Sequence, residues 1–162
     1  MTNNDLPALF ESLQRRLQLL EDKEAITTLL NHYCRACDTH DFEGFGNKFT
    51  EDGVLNYEEW GEIKGREEIA KAASVEGAIQ GLQHSITNLQ IDITGADTAS
   101  ATASLIFFAA PDTSKPFECY SCGGPYEFKF RRTAEGWKIT RHKLSRSWAM
   151  GHDPSGTFTN KE

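Results

Sequence analysis

An α+β fold is predicted from three features of the chain. Apolar residues recur at three- and four-residue steps through the first forty positions, and at every second position from about residue 84 onward. The helical part precedes the strand part instead of alternating with it, which separates α+β from a βαβ arrangement. The length of 162 residues, 38% hydrophobic and 25% charged, matches one globular domain with a sizeable core.

Taking the elements in order, Leu6, Leu9, Phe10, Leu13, Leu17 and Leu20 outline a first helix. Ile26, Leu29, Leu30, Tyr33, Cys34 and Cys37 outline a second, with Asp22 as its predicted N-cap and Glu24 in its first turn. This helix is expected to end near Asp38, before DFEGFG starts a short glycine-broken helix. EDGVLNYEEWGEIKG reads as two short strands around a turn, with Tyr57 and Trp60 as strand aromatics, and GREEIAKAASVEGAIQG as a weakly amphipathic helix. Four strands follow: HSITNLQIDI, DTASATASLIFFAA, PYEFKFRR and GWKITRHKLSRSWA. On the first of them His84, Ile86 and Asn88 are expected to share one face, and Ser85, Thr87, Leu89 and Ile91 the other. A curved sheet folded around the helices leaves a concave interior of the kind that holds small ligands. The domain is expected to span 1–150. The polar segment 151–162 reads as a tail that is either disordered or packed on another subunit.

Charge narrows the function classes. Seventeen basic and twenty-four acidic residues give a formal charge of −7. That field repels nucleic acid and anionic membrane, and no basic run offsets it locally. No apolar stretch approaches the roughly 20 residues of a membrane helix. MTNNDLPALFESLQ lacks the basic start and apolar centre of a secretion signal. A cytoplasmic location is the expectation, and with it thiols in place of disulfides.

Two Cys-x-x-Cys pairs, CRAC and CYSC, raise the question of a metal centre. Cys34 and Cys37 continue the apolar stripe of the second helix, where small thiols sit as core residues. Cys119 and Cys122 fall in a glycine-rich loop or strand end, where an i, i+3 pair on a regular strand would face opposite ways. Neither pair opens a helix after a strand, as a redox thiolate does. The reading is therefore no metal and no cofactor, and interest moves to Asp38 and His84. A carboxylate at a helix C-terminus opposes the helix dipole and invites a reason, although a solvated end residue is the ordinary one. A histidine becomes a general base when a carboxylate fixes its tautomer. Periodicity cannot bring the two residues together. Arg146, flanked at i±2 by Leu144 and Trp148, reads as a cation on an apolar strand face that needs an anionic partner. His142 shares its parity and is a weaker candidate, while His32, His40 and His152 read as surface residues.

The order and spacing of YCRACDTHDFEGFGNKFTEDGVL, GREEIA, HSITNLQID and RTAEGWKITRHKLSRSW resemble the SnoaL-like branch of the nuclear-transport-factor-2-like superfamily over residues 20–150. The resemblance implies a cone-shaped, curved mixed β-sheet wrapped around N-terminal helices. Among catalytic members the motif residues are most similar to those of bile acid 7α-dehydratases, with scytalone dehydratases and hexachlorocyclohexane dehydrochlorinases more distant. It implies site positions at Asp38, His84, Tyr33, Tyr57 and Arg146. It further implies a cofactor-independent dehydratase acting on a hydroxylated cyclic ketone or enone such as a steroid or aromatic polyketide. An isomerase, polyketide cyclase or dehydrohalogenase with the same dyad, or a non-catalytic binding or subunit-type domain, are the alternatives. The implied partners are a small hydrophobic cyclic substrate and further copies of the chain, as a trimer or dimer. One geometric tension is visible in advance: five helical residues place Tyr33 and Asp38 about 140° apart around the helix axis.

Overall fold

The computed structural model describes residues 5–57, 61–115, 117–153 and 156; Trp60 and the turn expected around it lie outside the described residues. The first two predicted helices are one. Helix α1 runs without interruption over Asp5–Asp38. Asp22 does not cap a second helix but sits buried in mid-helix. Its carboxylate accepts from Arg132 Nη2 at 2.7 Å, Trp137 Nε1 at 3.2 Å and Gln18 Nε2 at 3.1 Å. A local cap was a reasonable reading of an aspartate between two apolar series, but partners more than a hundred residues away decide its role. The Arg132 guanidinium and the Trp137 and Gln18 donors outweigh burial and hold this carboxyl below its ordinary pKa.

Helix α1 ends by a backbone device. His40 takes the left-handed conformation at φ 59°, His40 N–H bonds Cys37 O at 3.0 Å, and Asp41 N–H bonds Ala36 O at 2.8 Å. This is a Schellman closure with histidine where glycine is usual. His40 is thus half-buried at the turn, and not the surface residue its sequence context suggests. Helix α2, Phe42–Gly46, follows at once, its N-terminus capped by Asp41 Oδ1 accepting from Gly44 N–H at 2.9 Å.

Strands β1 (Phe49–Tyr57) and β2 (Gly61–Lys64) form an antiparallel pair. Helix α3 covers Arg66–Ala73, and the rest of the segment read as one helix is a short 3₁₀ turn, Ser74–Ala78. Four long strands come next: β3 (Gly81–Ile93), β4 (Thr98–Ala110), β5 (Tyr120–Thr133) and β6 (Gly136–Leu144). The last predicted strand is split, since after a break at Ser145–Ser147 residues Trp148–Gly151 form β7 and pair with the start of β5. The first residue assigned to a polar tail is therefore part of the sheet. Strand order is β2-β1-β6-β5-β4-β3, with β1 parallel to β6 and the other pairs antiparallel, giving the expected curved mixed α+β architecture.

A bulge corrects the facing of β3. Asn88 adopts φ 53° and the β3–β4 register shifts between Thr87 and Gln90. One extra residue inverts the alternation. Leu82 and Ile86 before it, and Leu89, Ile91 and Ile93 after it, all pack on the core. The other wall of that core is the C-terminal half of α1, where Ile26, Leu30, Tyr33 and Cys37 are buried. Full burial of side chains such as Ile26 and Leu30 contributes about 1.5–3 kcal/mol each.

Candidate active site

Asp38 is the last residue of α1 and His84 lies near the start of β3. Their side chains meet, with His84 Nδ1 2.7 Å from Asp38 Oδ1. The same carboxylate also accepts the main-chain N–H of His84, at 2.9 Å to Oδ1 and 3.1 Å to Oδ2. One acidic group thus fixes both backbone and ring of the histidine, and two N–H donors offset its unfavourable place at a helix C-terminus. Because a carboxylate only accepts, Nδ1 carries the proton and Nε2 of the neutral ring keeps its lone pair.

His84 lines a cavity on the inner side of the sheet. Its walls include Phe45, Leu55, Leu105, Phe107 and Leu144, with the His84 ring 4.6 Å from that of Phe107. Polar groups on the wall come from Tyr33, Tyr57, Glu76, Tyr126 and His142. This is the composition of a small-molecule site: mostly apolar, with few polar atoms. Asp38 does not line the cavity but reaches His84 from an outer groove that also includes Arg35, Thr39 and Ser85. The angular separation of Tyr33 and Asp38 is thereby accounted for: Tyr33 points into the cavity while Asp38 holds the imidazole from behind.

Tyr33 and Tyr57 are both buried on the cavity wall. The Tyr33 hydroxyl lies 3.0 Å from His142 Nδ1, and burial raises the pKa of this phenol. His142 is fully buried, and desolvation holds its pKa down at about 3, so the ring is neutral. Arg146 departs from expectation. It lies in the break between β6 and β7, not on a strand face, and its Nη1 donates to the Tyr120 hydroxyl at 3.1 Å. It is not among the residues lining the cavity.

One residue on the wall escaped the sequence reading. Glu76, on the 3₁₀ turn, is buried and accepts a hydrogen bond from Cys37 Sγ at 3.0 Å. Burial pushes its carboxyl pKa up. The Cys37 thiol is raised further, by burial and then by Glu76, so it is protonated. The signal available in the sequence was an acid amid the small apolar residues of AASVEGA. Cys37, Glu76 and His84 each offer a donor atom within 4.8 Å of the others. This N/O/S set differs from the four-thiol site considered above, and the four cysteines are all free thiols. Among the described residues no helix is long and apolar enough to cross a membrane.

Comparison with known proteins places the chain in a family. The SnoaL-like domain profile matches residues 18–143. The uncharacterized protein Rv2910c of Mycobacterium tuberculosis is 30% identical over 124 residues, covering 75% of this chain and 83% of its own. A candidate aromatic ring hydroxylase of Novosphingobium aromaticivorans superposes with a TM-score of 0.73 at 29% identity, covering 82% of this chain and 94% of that one. A scytalone dehydratase-like protein of the same organism superposes with a TM-score of 0.75 at 19% identity, covering 83% and 89%, a likeness of fold. With its helix-then-sheet order, open mixed sheet and matched profile, the chain belongs to the SnoaL-like domain family, on the nuclear-transport-factor-2-like fold.

Proposed function

We propose that this protein is a cofactor-independent acid–base lyase that removes water from a hydroxylated cyclic ketone or enone, such as a steroid or aromatic polyketide. The observation that carries the reading is the 2.7 Å contact between Asp38 Oδ1 and His84 Nδ1, with His84 on the wall of a largely apolar cavity. His84 Nε2 takes the proton from the carbon next to the carbonyl, or vinylogous to it, and the C–H electron pair moves to the carbonyl oxygen as an enolate. Asp38 stabilises the imidazolium that results. Tyr57 or Tyr33, both on the cavity wall, donates to the enolate oxygen. As the enolate collapses, the C–O bond breaks and the proton on the imidazolium passes to the departing hydroxyl, directly or by way of the Glu76 carboxyl, which returns both groups to their starting states. The products are an enone and water. Arg146 has no step here, because it does not line the cavity.

The same dyad would serve an isomerase, a cyclase or a dehydrohalogenase, and product mass distinguishes them: loss of water, no change, or loss of hydrogen halide. The test is a mass-spectrometric screen of hydroxy-enone steroids and hydroxylated aromatic polyketides with wild-type protein and His84→Ala. Water loss in the wild type that disappears in the variant is expected. Wild-type turnover by His84→Ala overturns the reading.

A further inference from the structure

The first half of α1 carries an apolar stripe that is exposed among the described residues. Leu6, Phe10, Leu13, Leu17 and Leu20 are each at least half exposed. Their spacing alternates four and three residues, the a/d repeat of a coiled coil. At about 100° per residue, the stripe is centred roughly 150° around the axis from the direction of Ile26, Leu30, Tyr33 and Cys37. The helix thus turns one apolar face toward its own sheet at its C-terminal end and a second face away from it at its N-terminal end.

We propose that residues 6–20 of α1 form a parallel two-stranded zipper with the same helix of a second copy of the chain. The stripe is self-complementary, since each layer meets its own equivalent: Leu6, Phe10, Leu13, Leu17 and Leu20 in turn. Charge selects the parallel arrangement. With Leu13 and Leu20 at d and Phe10 and Leu17 at a, Arg16 occupies g and Glu21 the following e position. In a parallel pair, Arg16 of each chain faces Glu21 of the other; in an antiparallel pair, the two Arg16 side chains face each other. Among the described residues neither Arg16 nor Glu21 has an ion-pair partner within the chain, whereas Arg15 pairs with Glu11 on the adjacent face. Geometry allows the pairing, because each body lies on the side of its helix away from the zipper. The repeat is short, but its helix is already nucleated: residues 26–37 are anchored in the core and the hydrogen-bond ladder continues from them.

The test is sedimentation of the full-length chain at about 1–100 μM in about 0.1 M salt, where exposed charge pairs still act. The wild type is expected at an even multiple of the chain mass, and Leu13→Glu/Leu17→Glu is expected to halve it, with an unchanged circular dichroism spectrum. Arg16→Glu weakens association about tenfold or more by setting like charges at g and e, and the exchange Arg16→Glu/Glu21→Arg restores it. The charge exchange decides the matter if the double-glutamate variant does not fold. A wild type that sediments as single chains overturns the proposal. So does a mass insensitive to Leu13→Glu/Leu17→Glu, which would place self-association on the sheet, or an exchange that fails to restore pairing.

Discussion

Replacing Asp38 by asparagine separates the two tasks of that carboxylate. The amide keeps size and shape, so its oxygen can still accept the His84 main-chain N–H, now 2.9 Å from Oδ1. Charge-assisted bonds are about twice as strong as neutral ones. Each is worth about 1.5–3 kcal/mol, so halving the two donors' bonds costs about 1–3 kcal/mol of stability, and the variant folds. Chemistry suffers more. Two unit charges about 4 Å apart attract by about 4 kcal/mol at an effective dielectric of about 20. Asp38 is 22% exposed, and this lowers the stabilisation of a cationic His84. About 2–3 kcal/mol remains, or roughly 30–150-fold in rate. An asparagine that turns its amino group toward Nδ1 also selects the tautomer with a proton on Nε2, which is no base. The total expected loss in turnover is about 10²–10⁴. Two measurements check it: turnover on the substrate panel, and ¹⁵N spectra of His84, where wild type should show Nδ1 protonated in the neutral ring. An Asp38→Asn protein with wild-type turnover, or a wild-type ring protonated at Nε2 alone, refutes this account of the dyad.

Glu76→Gln should slow water loss while leaving base-driven exchange of the substrate's acidic C–H with deuterated solvent intact, as read by mass spectrometry. Burial raises the Glu76 carboxyl pKa in the folded chain, so the native state holds its proton more tightly than the unfolded state does. Its contribution is fully present below the unfolded value and declines as pH rises toward the folded one. Thermal melts of Glu76→Gln should lack that decline, so its stability relative to wild type should increase with pH. Tyr33→Phe removes the partner of His142 Nδ1 in a site where His142 Nε2 is also without a hydrogen-bond partner among the described residues. A loss of about 1–3 kcal/mol in urea unfolding is expected, with a smaller effect on turnover than His84→Ala.

The parts of the fold legible in the sequence are those written in local periodicity. The helices ahead of the strands, the burial of Cys34 and Cys37, and the run of long antiparallel strands all follow from spacing. The misreadings occur where a distant partner overrides a local signal. Asp22 looks like a cap because its ties to Arg132 and Trp137 are invisible along the chain. Asn88 hides a bulge, since no rule of alternation announces a left-handed asparagine. The parallel pairing of β1 with β6 likewise cannot be read from order alone. In the site, Asp38 and His84 were nameable from the family resemblance, but their 2.7 Å contact needed the tertiary fold. Glu76 was missed because an acid on a weakly amphipathic helix reads as solvated. Arg146 was placed on a strand that stops two residues before it.

The kink at Asn88 has a consequence for how such a domain can diversify. Upstream of it, β3 presents the imidazole; downstream, Leu89, Ile91 and Ile93 do only structural work. A one-residue slip in a regular strand would turn every side chain over. Here the irregular residue absorbs such a slip, so the upstream segment can be retailored for a new substrate without disturbing the hydrophobic anchorage behind it.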